Sequence, residues 1–438
     1  MAQFRKDTHQ YLPDGKTIFE VVMLADQFGN HVGPANPTGT AVDAFGRARV
    51  SNPLTLFDSS HRYRDNNLWS TSNTAGGTYA FSTNEGLVNL NVSTASNAEV
   101  VRETTKVFSY QPGKSLQIMN TFVFNAAKAN LRQRVGYFGV NNGFYLELDG
   151  ADGTTLYLVQ RSSVSGSVVE TRVAQSDWNI DKLDGAGASL LTLDISKAQI
   201  LWMDIEWLGV GCVRLGFVID GKFIHCHTFF HSNLLTTTYI TTASLPCRYE
   251  IKNTGTTTSS STLKQICSSV ISEGGYELRG LQQAVGTAIG SPRDLTTVNT
   301  YYPVISIRLK TSPDRLDAIV ILTAISLLGI TNNANYNWQV VASGTTTGGT
   351  WVSAGTDSAV EYNITGTSFT GGRVLASGWT NGSAQGSTPV DILKEALFKF
   401  QLERNGLTST PYELTLIAAA DTAGGDIYAS MDWEEISR

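Results

Sequence analysis

Between Phe122 and Asn233 one run of alternating residues follows another, each broken by a glycine turn. Asn142-Gly143-Phe144-Tyr145-Leu146-Glu147-Leu148-Asp149-Gly150 leads at once into Thr154-Thr155-Leu156-Tyr157-Leu158-Val159-Gln160-Arg161. Two such runs around an Asp/Gly turn are the strongest short-range signal for a β-hairpin. Further on, Ile200 to Trp207 passes through Gly209 and Gly211 into Val213 to Ile219, which ends on Asp220-Gly221. Long strands with turns about every ten residues predict an all-β, two-sheet sandwich and exclude an α/β enzyme architecture. A sandwich displays surfaces, and chemistry on it needs a few specific residues grafted onto the strands.

With 438 residues the chain exceeds one sandwich. Three regions are expected: an extended N-terminal assembly arm over 1–60, a large sandwich over 61–290, and a second, smaller sandwich over 291–438. The arm holds one apolar strand around Phe19 and Val21, a Gly/Pro/Asn-rich run, and a segment containing Phe45, Arg47 and Phe57. Its apolar content is too small to offset the ordering cost of its own core, so it must lie on something else, and a neighbouring subunit is the expected support. Ala188–Asp194 is read as a strand. Ala396–Arg404 is read as a strand, with the alternative that Pro389 to Phe400 begins with a helical turn, Thr388 as N-cap, Pro389 as first helical residue and Asp391 as acidic partner of a capping box. No period of 20 to 50 residues recurs, which removes solenoids and propellers.

Charged residues make up 16% of the chain, against roughly 25% in ordinary soluble domains. Lys and Arg are scattered, and the net charge is −6, so no basic stripe is present to neutralise phosphates and no nucleic-acid partner is expected. The N-terminal residues carry no apolar signal segment, and the most apolar window, Ala318 to Ile330, is too short for a bilayer that needs roughly 20 residues. Synthesis in a cytoplasm without membrane insertion is the resulting expectation. Cys212, Cys226, Cys247 and Cys267 show no Cys-x-x-Cys spacing and read as free thiols packed between strands.

Three constellations bear on chemistry. Alternation puts Asp204 and Glu206 on one strand face, next to Trp207. This run resembles the Glu-x-Asp-x-Glu catalytic strand of laminarinase-type glycosidases, but Trp202 stands where the nucleophilic Glu is required. That loss argues against hydrolysis and leaves carbohydrate binding through Trp207, Asp204 and Glu206 in place. His225 and His227 are read as sharing a strand face, either as metal ligands gathered from several chains around an axis or as partners of the aromatic residues nearby. The Asp/Gly runs at Asp149–Gly153 and Asp181–Gly185 offer oxygen ligands but read as turns. Trp69, Tyr137, Phe144, Tyr145, Trp178 and Trp351 are the other aromatic candidates for a sugar platform. No catalytic residue and no cofactor are expected.

Two family resemblances follow from residues already quoted. Residues 122–233 are similar to a concanavalin-like jelly roll. Ala41-Val42-Asp43-Ala44-Phe45-Gly46-Arg47-Ala48-Arg49-Val50-Ser51, then Thr55-Leu56-Phe57-Asp58, resembles virion structural proteins of tailed bacteriophages, including those of cyanobacteria; Trp178–Gly185 and Asp204–Gly209 add to this. The resemblance implies a non-enzymatic virion component of a capsid, neck or tail, a symmetric homo-oligomer touching other virion proteins. A trimer is expected by analogy with fibres and spikes. The alternative is recognition of a host glycan, with or without depolymerase activity.

Overall fold

A computed structural model describes residues 9–11, 18–20, 43, 52–151, 155–277, 279–382, 388–391, 400–405 and 407–437. The described residues are all-β, as the alternation predicts, with one short 3-10 turn among them at Gln175–Asp177. Residues 54–273 form two antiparallel sheets of seven and eight strands. The chain passes repeatedly between them: Gln199–Ile205, Val213–Ile219 and Lys222–Phe229 lie in the eight-stranded sheet, Cys247–Asn253 in the seven-stranded one, and Ser261–Glu273 returns to the eight-stranded one. This is the wiring of a jelly roll. Alternate residues from facing strands, among them Ile118, Phe122, Val135, Phe144, Leu201, Met203, Phe217 and Tyr249, fill the space between the sheets.

A second, smaller sandwich has sheets of five and six strands around Val304, Ile307, Leu327, Tyr336, Leu416 and Trp433. Leu281–Gly286 already pairs with Gly425–Ser437 in this unit. The boundary therefore lies between Glu273 and Leu281, earlier than residue 290. Thr388–Asp391 is a strand paired with Ile319–Gly329, so the alternative of a helix starting at Pro389 does not hold over these four residues; 392–399 lie outside the described residues.

The arm expectation is corrected at its C-terminal end. Leu54–Ser60 pairs with Ser261–Glu273, and Phe57 is buried in the first sandwich's own core. Phe19 belongs to a short strand, Ile18–Glu20, paired with His9–Tyr11, while Val21, Phe45 and Arg47 lie outside the described residues. Ala188–Asp194 is also corrected: it runs as turns with one bridge, Asp184 to Thr192, because Leu190 takes a φ of 58°, which no strand accepts.

The outer face of the seven-stranded sheet carries a lattice of ion pairs set by register. Glu147, Arg134 and Glu250 stand side by side on three neighbouring strands, with Arg134 bonded to Glu147 at 2.5 Å and to Glu250 at 3.4 Å. Arg161 meets Glu170 at 2.7 Å, and Arg248 meets Glu103 at 3.1 Å. Arg134 and Arg161 lie over the Tyr145 ring, with their guanidinium carbons 5.0 and 5.1 Å from its centroid. The lattice extends into the second sandwich through Arg404, 2.9 Å from Glu103. Lys106–Glu403 at 3.3 Å and the apolar cluster Val107, Ile319, Ile321 and Ile436 complete the seam between the two units.

Candidate functional site

Asp204 sits on Gln199–Ile205, whose inward residues Leu201, Met203 and Ile205 belong to the core. Trp202 and Asp204 therefore face the opposite side. The hairpin through Gly209 and Gly211 places Arg214 directly across from Asp204. The two side chains form an ion pair that is almost wholly buried. Above it Trp202, fully buried, packs edge-on to Phe223 at 5.5 Å and His225 at 6.1 Å. Asp204 is thus committed to a structural pair and is inaccessible to a sugar.

Glu206 lies past the end of that strand and is turned into the loop. Its carboxylate accepts the N–H of Cys212 at 3.2 Å and the Cys212 thiol at 3.4 Å. Burial pushes the Glu206 carboxyl up; the Cys212 hydrogen bonds oppose this, and Asp43 and Asp204 add to it. The same neighbourhood pushes the Cys212 thiol up to about 12, chiefly through burial and then through Glu206.

The expectation that His225 and His227 share a strand face is overturned by a β-bulge. His225 stands across from Gly216 and His227 across from Leu215, so Cys226 is the extra residue. Gly216 in turn faces Trp202, on the outer side, whereas Leu215 faces the core residue Met203. His225 bonds with the Thr228 hydroxyl at 2.8 Å, while His227 packs against Phe229 at 4.6 Å and accepts the Asn179 N–H at 3.3 Å. Burial lowers both to about 4, with Arg214 contributing at His225. Among the described residues no group of three or more His, Cys, Asp or Glu is arranged to hold a metal.

Of the aromatic candidates, Trp69, Tyr137, Phe144, Tyr145 and Trp178 are buried, and Trp351 lies under the Arg308 guanidinium at 3.9 Å. Trp207 differs. It is half-buried and lines a cleft of about 850 Å³ between the loop end of the first sandwich and the 314–318 loop of the second. Its indole N–H points away to the Ile240 carbonyl at 3.4 Å, and its backbone N–H donates to the Tyr110 hydroxyl at 3.1 Å. Tyr110 meets the Trp207 ring edge-on at 5.8 Å. Tyr276, also on the cleft wall, donates its hydroxyl to Ser109 at 2.8 Å. Gln111 ties the 109–114 loop to Glu277 through both of its amide atoms, at 2.8 and 3.2 Å. The structure thus separates Trp207 from Asp204 and Glu206, neither of which lines the cleft.

No family model and no curated protein sequence matches the chain. Similar solved structures include the β-glucanase of Bacillus licheniformis, 11% identical over 49% of this chain and 97% of that one, with a TM-score of 0.34. Another is the CBM2 module of the evolved Dit of Lactobacillus casei BL23 phage J-1, 8% identical over 51% and 98% of the two chains, TM-score 0.34. A third is a legume lectin-like domain from Entamoeba histolytica, 9% identical over 52% and 99%, TM-score 0.30.

Proposed function

We propose that this chain is a glycan-binding, non-enzymatic component of a tailed-phage virion, and that its ligand site is the cleft between the two sandwiches. The observation that carries the binding half is Trp207. Its polar edge is satisfied by the protein, so what it offers the cleft is an apolar ring, the surface on which the C–H face of a pyranose packs. Binding without hydrolysis is supported by the carboxylates singled out in the sequence: Asp204 is held by Arg214 and Glu206 by Cys212, both away from the cleft. A glycan array followed by calorimetry tests this. Trp207→Ala, with an unchanged melting temperature, should lose about tenfold or more in affinity, the equivalent of about 1.4 kcal/mol. Unchanged affinity in Trp207→Ala, or no bound glycan for the native chain, refutes the site; sugar release from a host polysaccharide refutes the non-enzymatic assignment.

The virion setting rests on the sequence resemblance, and homo-oligomer formation has one structural support. Ser368–Asn381 is a fourteen-residue strand at the edge of the six-stranded sheet, with Arg373 its single charge. Among the described residues no further strand joins the sheet beyond it, and long, weakly charged edge strands are usually covered by another chain. A trimer is the proposed state. Mass photometry of the purified chain checks it, and a stable monomer at micromolar concentration removes it.

A further inference from the structure

Most polar groups on the cleft wall are already spent. The Tyr110 and Tyr276 hydroxyls and the Gln111 amide are engaged by the protein, as described. Of the charged residues, Glu277 is paired with Arg279, and Asp317 meets Arg404 at 2.9 Å. Asp314 accepts the Leu316 N–H at 3.0 Å. Lys114 and Arg315 stand apart from these. Neither makes an ion pair among the described residues, and the Arg315 side chain spends a single donation, to the Asp314 carbonyl at 3.1 Å. A guanidinium has five N–H donors and an ammonium three, so donors remain on both sides of the cleft. Lys114 comes from the first sandwich and Arg315 from the second, so a ligand that meets both bridges the two units. Three cations (Lys114, Arg279, Arg315) and three carboxylates (Glu277, Asp314, Asp317) line the cleft, so its formal charge is balanced on a chain that carries −6 overall.

We infer that the ligand of this cleft is an acidic saccharide, whose oxyanion substituents meet Lys114 and Arg315 while a sugar ring packs on Trp207. The inference rests on the glycan-binding reading above and deepens it. Guanidinium and ammonium groups bind carboxylate and sulfate oxygens through short, charge-assisted hydrogen bonds, which a neutral hydroxyl cannot match. In a half-open cleft such contacts are screened by salt, so the preference for acidic glycans should shrink as ionic strength rises.

The test is an array of neutral, uronate-bearing, sialate-bearing and sulfated glycans, followed by calorimetry with the best acidic glycan and its carboxyl-reduced or desulfated counterpart. The acidic form should bind about tenfold tighter than the neutral one. Lys114→Gln and Arg315→Gln should each remove much of that preference, with melting temperatures held near that of the native chain. The uronate and sulfate arms identify which oxyanion the cations meet. Equal affinity for acidic and neutral forms, or an undiminished preference in Lys114→Gln and Arg315→Gln together, overturns this inference and leaves the glycan-binding reading standing. An array on which nothing binds removes both.

Discussion

Glu250 offers a direct measure of what the charge lattice contributes. It lies at 4% exposure among arginines, 3.1 Å from Arg132 and 3.4 Å from both Arg134 and Arg248. Burial alone would push its carboxyl up, but Arg248, Arg134, Arg132 and Arg161 outweigh that and hold it at about 2, against an ordinary 4.5. A difference of that size corresponds to about 3 kcal/mol of stability at neutral pH. Because the folded-state value is depressed, the native state binds fewer protons than the unfolded chain in this range. The stabilisation is complete above pH 4.5 and is lost as the pH falls towards 2. Glu250→Gln keeps the shape and removes the charge. With a urea m-value of about 3 kcal/mol/M, the unfolding midpoint of the first sandwich should fall by about 1 M at pH 7. Urea is the right denaturant, since guanidinium would screen the lattice. The gap between native chain and variant should close as the pH approaches 2. A midpoint unchanged at pH 7, or a gap that persists undiminished at pH 2, would show that the arginines are not what holds Glu250 in place.

Arg404→Ala should weaken the seam between sandwiches by about 3 kcal/mol, since it takes a cation from Glu103 and Asp317 at a nearly buried site. Calorimetry should then resolve two separated transitions, and limited proteolysis should cut between Glu273 and Leu281; a single unshifted transition contradicts this. His61 is buried, with its Nδ1 3.9 Å from the Asp65 carboxylate; burial, then Arg102, outweighs Asp65 and lowers it to about 4. Its contribution is whole above pH 6.5 and falls away towards pH 4, where the unfolded chain binds the extra proton. His225 and His227 behave in the same way, and burial lowers His231 too, so His61→Phe should remove one of four such contributions and flatten the stability profile between those pH values. An identical profile by thermal unfolding would refute it.

The strands were legible because period-two alternation is a local property. Leu116, Ile118 and Phe122, with the buried Asn120 between the last two, share the core-facing side of one strand. Where the outcome depended on pairing, local pattern misled. His225-Cys226-His227 alternates perfectly as text, yet one strand carries a residue more than its partner, and the bulge at Leu215/Gly216 sends the two imidazoles to opposite sides. Leu191 and Leu193 likewise suggest a strand by their spacing, but the chain turns at Leu190 just before them. Leu54–Ser60 looked too poor in apolar residues to stand alone, and it does not; the sheet it joins is in its own chain.

The candidate site shows the same division. Alternation puts Asp204 and Glu206 on one face, but the strand ends at Ile205 and Glu206 turns into the loop; Asp204 keeps its outward face, and a face is not yet a surface. Arg214, ten residues on, becomes the partner of Asp204 only once the turn through Gly209 and Gly211 has set the register. That turn is closed by Glu206, whose backbone N–H donates to the Cys212 carbonyl at 3.1 Å while its carboxylate receives the Cys212 N–H, and by the Gly211 N–H on the Trp207 carbonyl at 2.8 Å. Both carboxylates are therefore consumed in building the hairpin. Trp207, the first residue beyond them, is carried to the end of the sheet where the second sandwich begins. Lys114, Tyr276 and Arg315 reach the same cleft from segments far apart in the chain, so no spacing in the sequence announced it. Of the residues that meet there, Trp207 alone was marked as a sugar contact by the sequence, because a tryptophan next to a strand's end is conspicuous while scattered single cations are not.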